Sequence, residues 1–598
     1  MTAPVITGTA GEETAHRSSE TRRINFRFSR RGRYAACLSA RGRGPLVPEL
    51  WDLGGGTPVP MTLGRPAGES SWSTVVPTDG GRILLGRAQA GGVHRLLLIT
   101  PGEAPAPMPA TFHGGGFRLV AGGPEGAAAL AFHGAGEGRT TVWRVPAEPG
   151  PLEAVATVPA VLGGGVWLDA SGRRLALSRH GDEPGTVVLN LPDGSLSPLP
   201  GLADGEHLLL AAPRNGVLLT TLRHEGTYRL GVRGTDDDGP TVFPRPLNEI
   251  DGAVTPLAFD PEGRRLALLV TRGVRSHLLV YDLTTEEIRE AGLPAGALYP
   301  SAHWSTAGLH VIHTTPDRPY APLTVLNASG APATRRGGDR ATARAHSYDG
   351  PGGRIEAVVY GDPARSRQVV LALHGGPEAA WQLSFDPLFR QMSARGIAVV
   401  APNQRGSTGY GAAHRDAIRG AWGGPDLADI LHLGRVVGAG RGPGACRPML
   451  YGASYGAYLA LLAVAADPHL WSRAAVVAPF LSGRELYTDG PATVRAMLDR
   501  LGGLEEITDD ELGPRDLLRL AGRLRLPLLV VHGEHDDVIP VSHSRRLRDR
   551  LAEVAPPGAE LTYLEVTGAG HDPLTGRGAH LVRDRLVHFL DTGSAQLS

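Results

Sequence analysis

A turn closed by glycine recurs through the first half of this chain at a spacing that few architectures can absorb. Phe28-Ser29-Arg30-Arg31-Gly32-Arg33, Leu168-Asp169-Ala170-Ser171-Gly172-Arg173 and Phe259-Asp260-Pro261-Glu262-Gly263-Arg264 share one form: an aromatic or aliphatic start, a polar turn, a glycine. The copies end at Gly32, Gly81, Gly126, Gly172, Gly216, Gly263 and Gly308, at intervals of 49, 45, 46, 44, 47 and 45 residues. An alternating apolar strand follows each glycine, then a polar loop and another strand, as at 266–270 and 277–281. Short strands repeating in the mid-forties without helical periodicity are the signature of a β-propeller, one four-stranded blade per repeat. A single blade cannot bury its own apolar faces, so neighbours stack and the ring closes without long free edges. Seven markers predict seven blades over residues 23–340; a pair of stacked β-sandwich domains is the other arrangement the pattern admits. The His, Asp and Arg residues of the blades read as turn and surface chemistry, and no site is assigned among them.

Composition bounds the rest. A chain of 598 residues is long enough for roughly four average domains, although propellers run long as single units. Basic and acidic residues balance at 60 each, so no nucleic acid and no anionic membrane surface is expected as a partner. All the basic residues are arginine, which with the abundance of Ala, Gly and Pro reads as a coding bias. Two cysteines, Cys37 and Cys446, stand far apart, which argues against a disulfide framework and points to a reducing, cytoplasmic location. Thr21-Arg22-Arg23-Ile24-Asn25-Phe26 faintly resembles a twin-arginine export signal, but polar, Arg-rich residues follow it where an apolar core would be needed. No run of 18 or more apolar residues is present, so no spanning helix is expected. Residues 1–22 are polar and read as a mobile N-terminal tail.

After a polar, Arg-rich stretch at 341–350, read as a linker, the pattern changes to strand alternating with helix. Strand-like runs fall at 354–360, 369–373, 397–402, 448–451, 474–478, 528–531 and 561–566, with helical stretches at 426–437, 455–466, 543–554 and 579–590. Near-continuous apolar strands between helices predict a doubly wound, mostly parallel sheet over 345–598, with its chemistry at the carboxyl ends of the strands. One such end is Gly452-Ala453-Ser454-Tyr455-Gly456. In a Gly-x-Ser-x-Gly turn the glycines let the backbone bend sharply enough to hold a serine hydroxyl clear of the sheet at a helix N-terminus. With 82 glycines in the chain the pattern alone is cheap, and its weight comes from the other strand ends. Strand 369–373 runs into His374-Gly375-Gly376-Pro377, whose small residues would expose a backbone N–H to an oxyanion; the amide of Tyr455 would be the second donor. Strand 528–531 runs into His532-Gly533-Glu534-His535-Asp536-Asp537, and strand 561–566 into Thr567-Gly568-Ala569-Gly570-His571. A base must reach the serine and a carboxylate must orient that base, which selects Ser454, Asp536 and His571 in the hydrolase chain order Ser, Asp, His. Asp537 is the rival acid, and the cluster His532, His535, Asp536, Asp537 could also be drawn as a metal site, although the hydrolase reading needs no metal or other cofactor.

Residues 345–598 resemble the catalytic domain of the prolyl oligopeptidase family of serine peptidases, nearest its acylaminoacyl-peptidase-like branch. Four blocks carry the resemblance: His374-Gly375-Gly376-Pro377; Asn403-Gln404-Arg405-Gly406-Ser407-Thr408-Gly409-Tyr410-Gly411 with Trp422-Gly423-Gly424; the serine turn; and His532-Gly533 through Asp536-Asp537 to Pro540, then Gly570-His571. The family sets a seven-bladed propeller ahead of an α/β-hydrolase domain, so the resemblance extends over nearly the whole chain. It implies Asp536 over Asp537 as the triad acid, oxyanion donors at Gly376 and Tyr455, and a propeller that restricts entry to peptides and small, unfolded substrates. One position departs from it. Many members carry a basic or amide residue two places after the triad Asp to hold a substrate carbonyl, and Val538 stands there. The paired-glutamate motif that the dipeptidyl branch uses to hold a free amine is not identified in these blades.

The expected activity is therefore hydrolysis of short or N-acylated peptides through an acyl-enzyme, with an esterase, thioesterase or acyltransferase acting on a small metabolite as the alternative. His374, Arg405 and Trp422 read as architecture, and Tyr455 contributes its backbone. The expected partner is a short peptide or small acyl substrate. Homo-oligomerisation, the preferred residue at the cleavage site and the route of substrate entry are left open by the sequence.

Overall fold

The computed structural model describes residues 21–594 except 56, 62, 64–67, 135, 137, 182, 226, 236–238, 328–341, 443, 555–559 and 576–577. Its first part is seven antiparallel sheets, each built from consecutive strands; five have four strands, and those at 207–234 and 297–327 have three among the described residues. Six of the seven marker glycines lie between the first and second strands of a blade and Gly308 opens the second strand of its own; all have positive φ, from 63° at Gly263 to 142° at Gly308. An L side chain is disfavoured in that region, so glycine at this turn is a backbone requirement, which is why the repeat can be seen at all. The predicted second and third strands of the sixth blade appear as Arg265–Arg272 and Arg275–Asp282.

The propeller core lies between blades. One apolar cluster joins the second and third sheets through Leu96, Met108, Leu119 and Ala131, and another joins the third and fourth through Leu130, Val142, Leu175 and Leu189. The seventh blade closes on the first by packing, with Phe26, Cys37 and Ile312 buried together. No strand is shared between first and last sheets among the described residues.

The second part is one eight-stranded sheet in the order Ala343–Gly350, Gly353–Tyr360, Ile397–Pro402, Gln368–Leu373, Met449–Ala453, Ala474–Val477, Leu528–Gly533 and Leu561–Val566. The first two pairings in this order are antiparallel and the remaining five are parallel. Alternation along the central strands feeds two cores. Val369, Leu371 and Leu373 face the helices Pro425–Ala439, Tyr455–Ala466 and Ser542–Val554, whereas Val370 and Ala372 face Pro387–Ala394 and Ala579–Thr592. Among the described residues no helix is long and apolar enough to cross a membrane. Both cysteines are free.

Two sequence expectations are corrected. The predicted N-terminal tail, residues 1–22, lies outside the described residues up to position 20, but Thr21 and Arg22 begin the first blade's innermost strand, Thr21–Phe28. The stretch read as a linker at 341–350 supplies the edge strand Ala343–Gly350, paired along its length with Gly353–Tyr360; position 341 itself lies outside the described residues.

Candidate active site

The central strand Met449–Ala453 turns into the helix Tyr455–Ala466 through a single residue, Ser454, at φ 55° and ψ −121°. A non-glycine residue in this region is strained, and such strain persists only where the surroundings over-determine it. Here the surroundings are backbone. The Ser454 amide donates to the Val477 carbonyl at 2.8 Å, and the Ser454 carbonyl accepts from the amides of Ala457 at 2.9 Å and Tyr458 at 3.1 Å. A Cβ at Gly452 would fall on the Gly456 carbonyl, and one at Gly456 on the Leu373 carbonyl of the neighbouring strand. The two glycines are thus what lets the elbow close. The helix that follows is buried at every position from Tyr455 to Ala465, in keeping with its run of Ala and Leu.

The loop after Gln368–Leu373 passes beside the serine: a Cβ on Gly375 would lie 3.4 Å from Ser454 Cβ and 4.0 Å from its Oγ. Gly376 follows at φ 126°. Tyr455 is the first residue of its helix, so its amide has no acceptor within that helix. His374 is buried with Nε2 2.8 Å from Ser407 Oγ and Nδ1 2.7 Å from the Gly375 carbonyl. Burial lowers its pKa to about 4, so it is a neutral, structural ring, as expected.

Asp536 and His571 meet although 35 residues separate them. His571 Nδ1 lies 2.8 Å from Asp536 Oδ2. A carboxylate only accepts, so Nδ1 carries the proton and Nε2 is left as the basic nitrogen. The other carboxylate oxygen, Oδ1, accepts from the amides of Val538 at 2.9 Å and Ile539 at 2.8 Å. Asp536 is buried and Asp537 exposed, which decides between the two acids on geometry. Burial alone would raise the Asp536 pKa; hydrogen bonds from His532 and His571, the His571 charge and the Ile539 amide outweigh it and hold the carboxyl well below the usual range.

The sequence reading did not anticipate His532 as a partner of Asp536. Its Nε2 is 2.9 Å from the Ile539 carbonyl and 3.1 Å from Asp536 Oδ2, both acceptors, so Nε2 bears the proton and Nδ1 receives the Ser544 hydroxyl at 2.7 Å. His535, drawn in the alternative metal cluster, is exposed.

Around the elbow, Arg405 grips Asp429 with Nη2 2.7 Å from Oδ1 and its own amide 2.9 Å from Oδ2, and Trp422 lies edge-on to Tyr455 with ring centroids 5.1 Å apart. Both act as architecture, as expected. The Tyr455 ring does more than pack, because its hydroxyl donates to Asp426 Oδ2 at 2.5 Å. Asp426 is fully buried, and burial lifts its pKa to about 6 against the opposing hydrogen bonds from Tyr455 and the Leu427 amide. An acid whose pKa is raised on folding binds more protons folded than unfolded between the two values, so stability falls as pH rises through that window. Replacing Asp426 with Asn is therefore expected to gain on wild type between about pH 4 and pH 6, by about 3 kcal/mol at the plateau. Denaturant unfolding of the two proteins from pH 4 to 8 reads this directly; a pH-independent difference would contradict it.

Ser454 and His571 line one cavity of about 400 Å³, floored by Tyr451 and Val477 and flanked by Asp386. Its roof comes from the propeller: Arg22, Arg23 and Ile24 of the first blade and Pro319 and Tyr320 of the seventh. The sequence assigns no site residue to the blades, and in the structure they supply one wall of this cavity. These residues arrive from the ends of strands almost 300 positions apart, and nothing local in the sequence marks strand ends that point at another domain.

The prolyl oligopeptidase family profile matches residues 383–594. A Bacillus subtilis protein named Uncharacterized peptidase YuxL is 27% identical over 207 residues, 34% of this chain and 31% of that one. The Caenorhabditis elegans dipeptidyl peptidase family member 6 is 27% identical over 216 residues, 35% of this chain and 29% of that one. The matched stretch thus spans about three-tenths of these relatives' length. Two solved structures share the fold over nearly the whole chain. A puromycin hydrolase has TM-score 0.71 at 20% identity, covering 96% of this chain and 95% of its own. The Pyrococcus horikoshii acylaminoacyl peptidase has TM-score 0.71 at 14% identity, covering 98% and 97%. Residues 383–594 form a prolyl oligopeptidase family domain, carried behind a seven-bladed β-propeller.

Proposed function

We propose that this chain is a serine peptidase that cleaves short or N-acylated peptides through an acyl-enzyme. The observation that carries the reading is the Asp536–His571 hydrogen bond of 2.8 Å set in the same cavity as a serine held on a strained elbow. In this mechanism His571 Nε2 takes the Ser454 proton as Oγ attacks the acyl carbon. The oxyanion rests on the amides of Gly376 and Tyr455, where fixed donors in a site shielded from water are worth most. His571 then gives its proton to the leaving nitrogen, and the same base activates water to release the acyl group. Asp536 fixes the ring's tautomer and stabilises its charged form. No metal or cofactor is invoked at any step. The propeller roof admits short, extended substrates and turns folded ones away, and the structural neighbours named for acylaminoacyl peptide and puromycin hydrolysis support small N-acyl or amide substrates.

One observation favours a second reading, an esterase, thioesterase or acyltransferase on the same scaffold. Val538 packs its side chain against the apolar core and offers no polar group to a peptide carbonyl. A panel of chromogenic aminoacyl, acylaminoacyl and ester substrates separates the two. Acylaminoacyl and peptide turnover that Ser454→Ala lowers by about 10⁴ or more supports the peptidase; serine-dependent ester turnover alone supports the second reading. Turnover that survives Ser454→Ala contradicts both.

A further inference from the structure

The cavity that holds Ser454 and His571 does not end there. It shares Arg22, Phe385, Pro387 and Arg583 with a second cavity of about 410 Å³, which opens between the first-blade turn at 42–44 and the helices Pro387–Ala394 and Ala579–Thr592. Five guanidinium groups line this cleft, on Arg22, Arg43, Arg390, Arg395 and Arg583, against the single carboxylate of Asp584. His580 also lines it, and desolvation lowers its pKa, so it adds no charge at neutral pH. Carboxylates stand beside these arginines: Asp584 at 3.1 Å from Arg43, Asp572 at 3.3 Å from Arg22, Asp317 at 3.5 Å from Arg390, and the buried Asp386, which feels the charges of Arg22 and Arg583. With those four acids counted, the described residues of the cleft still carry an excess of positive groups, five guanidinium groups against four carboxylates. Arg395 is exposed and makes no ion pair among the described residues.

The alternative way into a chamber beneath a propeller is along its axis, and there this chain places an obstruction. The strand Thr21–Phe28 leaves the hydrolase-facing end at Arg22 and reaches its first turn on the far face. From that turn Arg30 extends to the Gly123 carbonyl of the third blade at 2.6 Å and to the Ala170 carbonyl of the fourth at 2.5 Å, with its guanidinium 5.2 Å over the Trp167 ring. His303 of the seventh blade holds the Arg30 carbonyl at 2.9 Å. First and fourth blades stand opposite one another in a ring of seven, so this side chain crosses the far mouth.

We propose that the arginine-lined cleft is the way in to Ser454 and that it recognises the free carboxylate at the C-terminus of a short peptide substrate; the inference rests on the hydrolase reading above. His571 must hand its proton to the leaving nitrogen, so the leaving half of the substrate lies on the His571 side. Asp572 and Leu574, which follow His571 in the chain, line the shared cavity on that side. A peptide whose leaving half runs from Ser454 past His571 into the cleft therefore brings its terminus among the arginines. A guanidinium fork matches a carboxylate bidentately, and a concave wall with an excess of positive groups focuses its field on an incoming anion.

The test compares one N-acyl peptide carrying a free C-terminal acid with the same peptide as its C-terminal amide, using the full-length protein. The acid is expected to have kcat/KM about tenfold higher, equivalent to about 1.4 kcal/mol, expressed mainly in KM. The advantage is expected to shrink as salt rises, through screening of the cleft, and to fall to near parity in the Arg43→Gln/Arg395→Gln double variant. Both side chains are exposed, that of Arg43 by 73%, so the variant is expected to fold. An acid-to-amide ratio near one in wild type, or a ratio that the double variant leaves in place, overturns the proposal. Absence of Ser454-dependent turnover of both peptides would defeat the hydrolase reading itself and the proposal with it, an outcome distinct from a flat ratio.

Discussion

Asp536→Asn is expected to lower kcat by about 10⁴ while the protein stays folded. The loss follows from which groups face the carboxylate. Oδ1 accepts from two backbone amides, Val538 and Ile539, and Oδ2 faces His571 Nδ1 and His532 Nε2. An asparagine carbonyl is claimed by the two amides, because turning it around would oppose its NH₂ to both. The NH₂ then points at His571, whose Nδ1 must become an acceptor, and the ring proton moves to Nε2. That tautomer presents a donor to Ser454 and cannot take its proton. Steady-state kinetics on the preferred substrate check this, with near-native KM; a variant within tenfold of wild-type kcat would remove Asp536 from the site. The same carboxylate leaves a trace in stability. Its folded pKa is depressed, so its contribution is complete above the unfolded carboxyl pKa near 4 and is lost as pH falls through the lower folded value.

Gly456→Ala is expected to cost about 3 kcal/mol or more, a fall of about 6–12 °C in Tm for a domain of this size. The added methyl has nowhere to go. It would meet the carbonyl oxygens of Leu373 and His374, which belong to a central strand and to the loop beside Ser454, so relief requires moving the backbone that frames the site. No flexible side chain can give way instead. Gly522→Ala is the control within the same domain, since a Cβ there meets nothing within 4 Å, and it is expected to melt near wild type. Differential scanning calorimetry on both variants separates them; equal melting temperatures would show that the elbow is not confined as described.

Much of this was legible because backbone constraints leave marks in sequence. The seven turn glycines were visible because positive φ excludes most side chains, and the elbow glycines because a Cβ collides with carbonyls. The helix Tyr455–Ala466 was readable because burial on all sides demanded an unbroken apolar run. What escaped had no such mark. The strand Ala343–Gly350 lies at the sheet edge with most of its residues partly exposed, so it carries little apolar alternation and reads as a linker. His532 sits in a recognisable block and Asp426 opens a helical stretch, yet their partners Asp536 and Tyr455 are fixed only by the fold. Arg22 shows the limit most plainly. It opens a strand of the propeller and bonds the Leu574 carbonyl at 2.9 Å, 552 positions away in the loop that carries His571, a contact without any local signal.

The central claim is that Ser454 Oγ, activated by His571, is the attacking atom. Reaction with a fluorophosphonate followed by peptide mass mapping tests it most directly, because the reagent bonds only to a serine whose proton is being taken. One adduct per chain is predicted, on the peptide containing Ser454, absent in Ser454→Ala and formed far more slowly in Asp536→Asn. An adduct on another residue, or none from a protein that still cleaves its substrate, would contradict the account.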